Sequence, residues 1–251
     1  MLSAGIVAWI GAVFLAAGFV KGVVGMGLPT VAMGLLSVTM APAEAAALLL
    51  IPSLVTNLWQ LFTGPSFGGL CRRLWSMIVG VVAGTIAGAG LLTGAHTAAA
   101  SAGLGAALVV YAALGLLRLS FATPPRHEVW VSPLVGLATG LVTGATGVFV
   151  IPAVPYLQSL RLEKEELIQA LGLSFTVSTA ALAIGLFSTG ALASPTAQLA
   201  GSLTAFAPAL AGMFAGQALR QKMSVETFRK VFLAGLLVLG AYLLGEVVLQ
   251  R

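Results

Sequence analysis

The sequence predicts an all-α fold, a polytopic membrane helix bundle. Of its 251 residues, 59% are hydrophobic and only 8% are charged, whereas a soluble domain carries about 25% charged residues. The charged side chains lie in short clusters between apolar runs of about 20 residues, the length at which a helix crosses a bilayer. These runs lack the alternation of polar and apolar positions that a membrane β-barrel requires. The chain is therefore predicted to cross a membrane several times as helices.

Six uninterrupted runs are each predicted to cross the membrane once. They are Ala43–Phe62, Leu74–Leu92, Thr97–Leu117, Leu167–Phe187, Thr196–Leu219 and Phe228–Leu249. Two longer runs, Leu2–Met40 and Trp130–Leu160, are interrupted near the middle by glycine and proline, in the sequences GFVKGVVGMGLP (18–29) and GLVTGATGVFVIP (140–152). Because glycine and proline interrupt helices, each longer run is predicted to form a broken helical hairpin.

The two interrupted runs resemble each other, which predicts a tandem duplication. Repeat 1 covers residues 1–122 (hairpin 2–40 plus three spans), and repeat 2 covers residues 128–251 (hairpin 130–160 plus three spans). The alternative is chance similarity between glycine-rich membrane helices. The aligned pairs are Gly18 with Gly140, Gly22 with Gly144, Gly25 with Gly147, Pro29 with Pro152, Glu44 with Glu166 and Asn57 with Thr179.

The basic residues between spans predict the orientation. Arg72, Arg73, Lys164 and the cluster from Arg220 to Lys230 all fall on one side if each hairpin enters and leaves the membrane on the same side. The positive-inside rule places that side in the cytoplasm. Each repeat then crosses the membrane an odd number of times, so the repeats are inverted and both termini lie outside.

The two hairpin turns are the candidate binding site. Inverted-repeat transporters bind substrates between the repeats at broken helices, where free N–H groups at a helix N-terminus attract anions. The alternative is that the glycines only permit close helix packing, which we prefer for the rows Gly84–Gly88 and Gly212–Gly216. The candidate residues of the turns Gly22–Pro29 and Gly144–Pro152 are Gly22, Gly25, Met26, Gly27, Thr143, Gly144, Thr146 and Gly147.

Polar residues beside the turns complete the candidate site. Lys21 is a cation within an apolar run, and it either faces a cavity that binds an anion or extends to lipid headgroups. The helix after the first hairpin carries a polar stripe that includes Asn57 and Gln60, and its counterpart in repeat 2 offers Ser178. Such side chains either line a cavity or join neighbouring helices.

Several functions are excluded by what the sequence lacks. It contains no metal-ligand spacing, no P-loop and no nucleophile elbow, so neither an enzyme nor a cofactor is expected. The net charge of +5 comes from basic residues that flank membrane spans. Nucleic acid is therefore not an expected partner.

The paired motifs KGVVGMGLP and TGATGVFVIP, each followed by a polar-striped helix and a glycine-spaced helix, resemble the sulfite exporter TauE/SafE family. The resemblance covers nearly the whole chain. It implies transport of sulfite, sulfoacetate or another small sulfur-containing or organic anion across the bacterial inner membrane, with the two turns as binding loops. The sequence departs from the family pattern at Met26, Val148 and Phe149, where small residues are common, so the identity of the substrate stays open.

The predicted function is a secondary transporter that moves a small anion by alternating access, with one repeat rocking against the other. The expected partners are the anion, membrane lipids and a coupling ion, either proton or sodium. A passive anion channel and a non-transporting membrane scaffold are the alternatives. The sequence does not determine the anion, the direction of transport, the coupling ion or the oligomeric state.

Overall fold

The computed structural model of the chain describes residues 4–93, 97–117, 122–191, 195–220 and 222–249, and these residues form a helix bundle. A short 3-10 turn at Ala89–Leu91 follows the fourth α-helix. The α-helices are α1 (Ala4–Val24), α2 (Leu28–Leu36), α3 (Pro42–Phe62), α4 (Phe67–Gly88), α5 (Thr97–Leu116), α6 (Pro125–Thr146), α7 (Ala153–Ser159), α8 (Lys164–Ser188), α9 (Pro195–Arg220) and α10 (Val225–Leu249).

Eight of the described helices are long and apolar enough to cross a membrane, all except α2 and α7. This confirms the predicted membrane helix bundle, and the six uninterrupted runs correspond to α3, α4, α5, α8, α9 and α10. The largest difference is at α4, which begins at Phe67 rather than at the predicted Leu74. The predicted span begins just after Arg72 and Arg73, because the prediction places its boundary at basic residues. Basic side chains near the end of a membrane helix can extend to the interface while the helix continues.

The two interrupted runs form hairpins, each a long helix followed by a short one. The chain returns in each case to the level where the long helix began. In the first hairpin, the indole Nε1 of Trp9 donates a hydrogen bond to Oγ1 of Thr39 at 3.1 Å. In the second, the N–H of Thr123, just before α6, donates to the carbonyl oxygen of Ser159 at the end of α7 at 3.1 Å.

The short helices α2 and α7 lie in the centre of the bundle. Eight of the nine residues of α2 are buried, and Ala153, Val154, Tyr156 and Leu157 of α7 are buried as well. Large exposed apolar side chains such as Trp75 and Phe187 belong to the long helices. Irregular backbone is tolerated at membrane depth only where protein or a water-filled cavity surrounds it, and this arrangement meets that condition for both turns.

The four most extensive helix pairs each join one helix of the first half of the chain to one of the second: α4 with α6, α1 with α9, α5 with α10 and α3 with α8. Glycines allow the first two pairs to approach closely. A Cβ at Gly84 would overlap the carbonyl oxygen of Leu137 on α6, and a Cβ at Gly212 would overlap that of Leu15 on α1. The packing role predicted for these glycine rows is confirmed.

Candidate functional site

Lys21 lies in the last turn of α1 and points into the protein, with only 4% of its surface exposed. Its Nζ donates a hydrogen bond to Oδ1 of Asn57 on α3. No acidic side chain among the described residues forms an ion pair with it. Of the two positions that the sequence left open, the structure therefore has Lys21 inside the bundle rather than extended to the lipid surface.

Asn57 and Gln60 connect Lys21 to the first turn and to α8. The Nδ2 of Asn57 is 3.5 Å from Oγ1 of Thr179, and Asn57 is completely buried. The Nε2 of Gln60 donates to the carbonyl oxygens of Gly25 at 3.1 Å and of Ile168 at 3.0 Å. We call Lys21, Gly25, Asn57, Gln60 and Thr179 the Lys21 cluster. It joins α1, α3, α8 and the broken segment of the first hairpin.

The first turn depends on two glycines with left-handed backbone. Gly25 has φ +85° and Gly27 has φ +105°, a region that is costly for residues with a Cβ. The N–H of Gly25 donates to the carbonyl oxygen of Lys21 at 2.7 Å, which closes the end of α1. Among the described contacts, the N–H groups of Met26 and Gly27 have no acceptor. Unpaired main-chain donors thus precede α2.

The second turn begins in the same way but has different surroundings. Gly147 has φ +72°, and its N–H donates to the carbonyl oxygen of Thr143 at 2.8 Å, as Gly25 does to Lys21. A Cβ at Gly147 would lie 2.8 Å from the Cε of Met33 on α2. The hydroxyls of Thr143 and Thr146 both donate to carbonyls within their own helix at 2.7 Å. The second turn is therefore packed against α2 of the first hairpin.

Four candidate turn residues, Gly22, Thr143, Gly144 and Thr146, lie inside helices, because both turns are shorter than the sequence indicates. Gly22 belongs to α1 and Gly144 to α6. A Cβ at Gly22 would overlap the carbonyl oxygen of Met213, and one at Gly144 would overlap that of Thr85. Close helix packing accounts for glycine at both positions.

Buried hydroxyls without a hydrogen-bond partner lie on α3 and α8, the two helices that meet at the Lys21 cluster. The Oγ atoms of Ser53, Ser174 and Ser178 have no partner among the described residues. Ser178 is completely buried and adjoins Thr179. Because an unpaired buried polar group is costly, these hydroxyls are positioned to bind a solute or a water molecule.

Two cavities reach the first turn. The larger, of about 730 Å³, is lined by Gly25, Met26 and Tyr111 at one end and by residues of α7, α8, α9 and α10 elsewhere. The smaller, of about 160 Å³, is lined by Lys21, Gly25, Thr56, Gln60 and others. No residue of the second turn lines either of these two cavities. Both of these cavities therefore border the first turn.

The broken hairpins contain the paired motifs KGVVGMGLP and TGATGVFVIP, by which the sequence resembles one transporter family. A model of that family, described as sulfite exporter TauE/SafE, matches residues 10–243 of the chain. The chain belongs to the TauE/SafE family. No curated protein and no solved structure matches it. This TauE/SafE protein is a multi-pass membrane protein of a transporter family, which agrees with the expectation that it is not an enzyme.

The sequence does not indicate a site role for three residues of this TauE/SafE protein that lie at the first turn, in the Lys21 cluster or along the cavities. Tyr111 lies in an apolar run and donates from its hydroxyl to Sδ of Met26 at 3.4 Å. Thr179 was noted only as the repeat counterpart of Asn57. Arg220 was used only as a marker of topology, yet it lines both cavities. No local signal in the sequence places Arg220 near a broken hairpin.

Proposed function

We propose that this TauE/SafE protein is a secondary transporter that moves a small anion, either sulfite or a related sulfur-containing or carboxylate anion, across the bacterial inner membrane by alternating access. The observation that carries the proposal is Lys21. It is buried, its partner is an amide rather than a carboxylate, and it lines a cavity beside a broken hairpin. A buried cation without a counter-charge is costly, and an anionic substrate would supply that charge.

The first turn provides the remaining donors for such an anion. The N–H groups of Met26 and Gly27 have no acceptor in the part of the chain that the structure describes, and α2 starts immediately afterwards without a side-chain cap. The N-terminus of a helix carries partial positive charge. Lys21 would contribute the full charge, and Gln60 would hold the turn in place through the carbonyl of Gly25. Ser178 lies beside the cluster and is the hydroxyl donor that we assign to it.

We assign the second turn, with Thr143, Gly144, Thr146 and Gly147, to the opposite state of the transport cycle. Its support is the shared conformation of Gly25 and Gly147 together with their different surroundings. In transporters built of inverted repeats, the two repeats exchange conformations as access alternates. On this proposal, the second turn opens to the other side of the membrane when the first turn closes.

Inverted repeats and the orientation belong to the same proposal. Two kinds of observation support them. The two most extensive helix pairs, α4 with α6 and α9 with α1, correspond to each other when the halves are exchanged, as a pseudo-two-fold relation would require. Basic residues at the ends of three helices, among them Lys164, Arg220 and Arg229, line one cavity. The positive-inside rule then places that cavity on the cytoplasmic side and both termini outside.

The tight helix pairs change one part of the expected mechanism. Rocking one repeat against the other would separate α1 from α9 and α4 from α6, where glycines bring the backbones into contact. We therefore propose that each of these pairs moves as a unit. The moving parts would be the short helices and turns, together with the less closely packed neighbours of these pairs.

Flux into proteoliposomes tests the proposal. Purified protein should take up radiolabelled sulfite, thiosulfate, a sulfonate or a small carboxylate with saturation, and an imposed proton or sodium gradient should drive accumulation above equilibrium. Protein-free liposomes are the control. Flux that does not saturate and that no gradient drives uphill would identify a passive channel. The absence of flux and of thermal stabilisation by every anion would leave the scaffold alternative.

A further inference from the structure

The larger cavity carries an excess of positive charge, and we call the part of it that is lined by basic residues the mouth. Four basic side chains, Lys164, Arg220, Arg229 and Lys230, and one acidic side chain, Glu226, line it. The Nζ of Lys230 lies 3.5 Å from Oε1 of Glu226, so these two side chains form an ion pair. Lys164, Arg220 and Arg229 form no ion pair with any described carboxylate. A concave surface with one sign of charge concentrates counter-ions, so this mouth attracts anions.

Arg220 differs from the other three basic residues because it also lines the smaller cavity that holds Lys21. It is the last residue of α9 and is partly buried, whereas Lys164, Arg229 and Lys230 are exposed. Among the described residues, its guanidinium has no hydrogen bond and no ion pair. Gly25 and Ile168 also line both cavities, so the two cavities are neighbours. Arg220 therefore lies where the mouth adjoins the Lys21 cluster.

We propose that Arg220 is a second anion-binding residue, which holds a small oxyanion at the mouth before the anion passes to Lys21. The inference rests on the proposed transport function and assigns it an additional subsite. A guanidinium presents a planar pair of N–H donors that matches two oxygens of a sulfite, sulfonate or carboxylate group. A spherical anion has no second acceptor atom spaced to match the second donor. Arg220 therefore favours oxyanions over halides.

The test compares Arg220→Gln and Arg220→Lys with the wild type in proteoliposomes. Arg72→Gln is the matched control, because Arg72 is exposed and lines neither cavity. At low salt, Arg220→Gln should raise KM for the oxyanion about 3- to 30-fold with kcat nearly unchanged. The difference should shrink at about 1 M ionic strength, where the Debye length is about 3 Å. Arg72→Gln should leave KM unchanged.

Arg220→Lys keeps the charge but loses the paired donors. Arg220→Lys should have a lower KM for the oxyanion than Arg220→Gln. Its preference for the oxyanion over chloride, measured as inhibition of oxyanion uptake by chloride, should be weaker than that of the wild type. If Arg220→Gln fails to fold, as judged by gel filtration and thermal unfolding, an unchanged oxyanion preference in Arg220→Lys overturns the inference. A wild-type KM in folded Arg220→Gln, or an equal rise in Arg72→Gln, also overturns it. Absence of saturable flux in the wild type would instead contradict the proposed function.

Discussion

Replacing Lys21 by methionine removes the ammonium group and keeps a side chain of similar length. An anion 4 Å from this charge would gain about 4 kcal/mol at an effective dielectric constant of 20. Part of that gain is offset by desolvation, and hydrogen bonds to charged groups are worth about 1.5–3 kcal/mol net. Taking the net figure, Lys21→Met should weaken anion binding by about 10- to 150-fold.

The same substitution should change the stability of the protein little. Removing a charged group from the membrane interior relieves about 2.5–3.5 kcal/mol. Against this, Oδ1 of Asn57 loses the donor that Lys21 supplies, and an unsatisfied buried acceptor costs about 1–3 kcal/mol. The two effects largely offset each other, so the free energy of unfolding should change by less than about 2.5 kcal/mol.

Two measurements on the same protein preparation check this reasoning. Thermal unfolding in detergent, with and without sulfite, reports folding and anion binding together, and proteoliposome uptake reports KM. Lys21→Met should unfold near the wild-type temperature, show no stabilisation by anions and have a raised KM. Lys21→Arg keeps the charge and should retain more of the affinity. Wild-type KM for every transported anion in folded Lys21→Met would show that Lys21 does not contact the substrate.

Three further substitutions test the packing, the turn and the surface. Gly84→Ala should lower the free energy of unfolding by about 1–3 kcal/mol, because a Cβ at this position overlaps the backbone of α6. Gly68→Ala is the control, since Gly68 has open space around it. Equal unfolding temperatures for the two variants would contradict the packing argument. Gln60→Leu removes two hydrogen bonds to main-chain carbonyls. It should raise KM about 3- to 10-fold, because the first turn is then held less firmly. An unchanged KM would show that Gln60 does not contribute to anion binding. Arg73→Gln breaks a bidentate pair with Glu128 at 2.6 and 2.8 Å. Since the Arg73 side chain is 38% exposed, it should cost at most about 1 kcal/mol and less at high salt, and a larger loss in unfolding experiments would show that this pair is not a surface pair.

The long helices could be predicted from sequence because their signal is local. An apolar run of about 20 residues has one stable form in a bilayer, so Pro42–Phe62 and Thr97–Leu116 appear close to the predicted bounds. The turns were harder. Glycine indicates where each hairpin breaks, but glycine also permits close packing of helices. The sequence alone does not distinguish Gly22, which lies at a close helix contact, from Gly25, which has a left-handed backbone conformation in the turn.

The contacts of the site could be predicted only in part, because they join distant segments of the chain. Lys21 stood out as a cation in an apolar run, and Asn57 as part of a polar stripe. Nothing local indicates that these two side chains meet, since they are 36 positions apart. Arg220 gave a signal for topology alone. Its place beside both cavities follows from the parallel packing of α9 on α1, which only the three-dimensional structure supplies.

The asymmetry between the two turns gives the proposed mechanism a concrete form. Gly25 and Gly147 end their helices with the same backbone conformation and the same hydrogen bond. One glycine borders two cavities, while the other lies against Met33. If the halves are equivalent repeats, a single conformation contains both environments that such a turn adopts. Exchanging them would carry the anion site from one side to the other while the glycine-packed pairs α1–α9 and α4–α6 stay together.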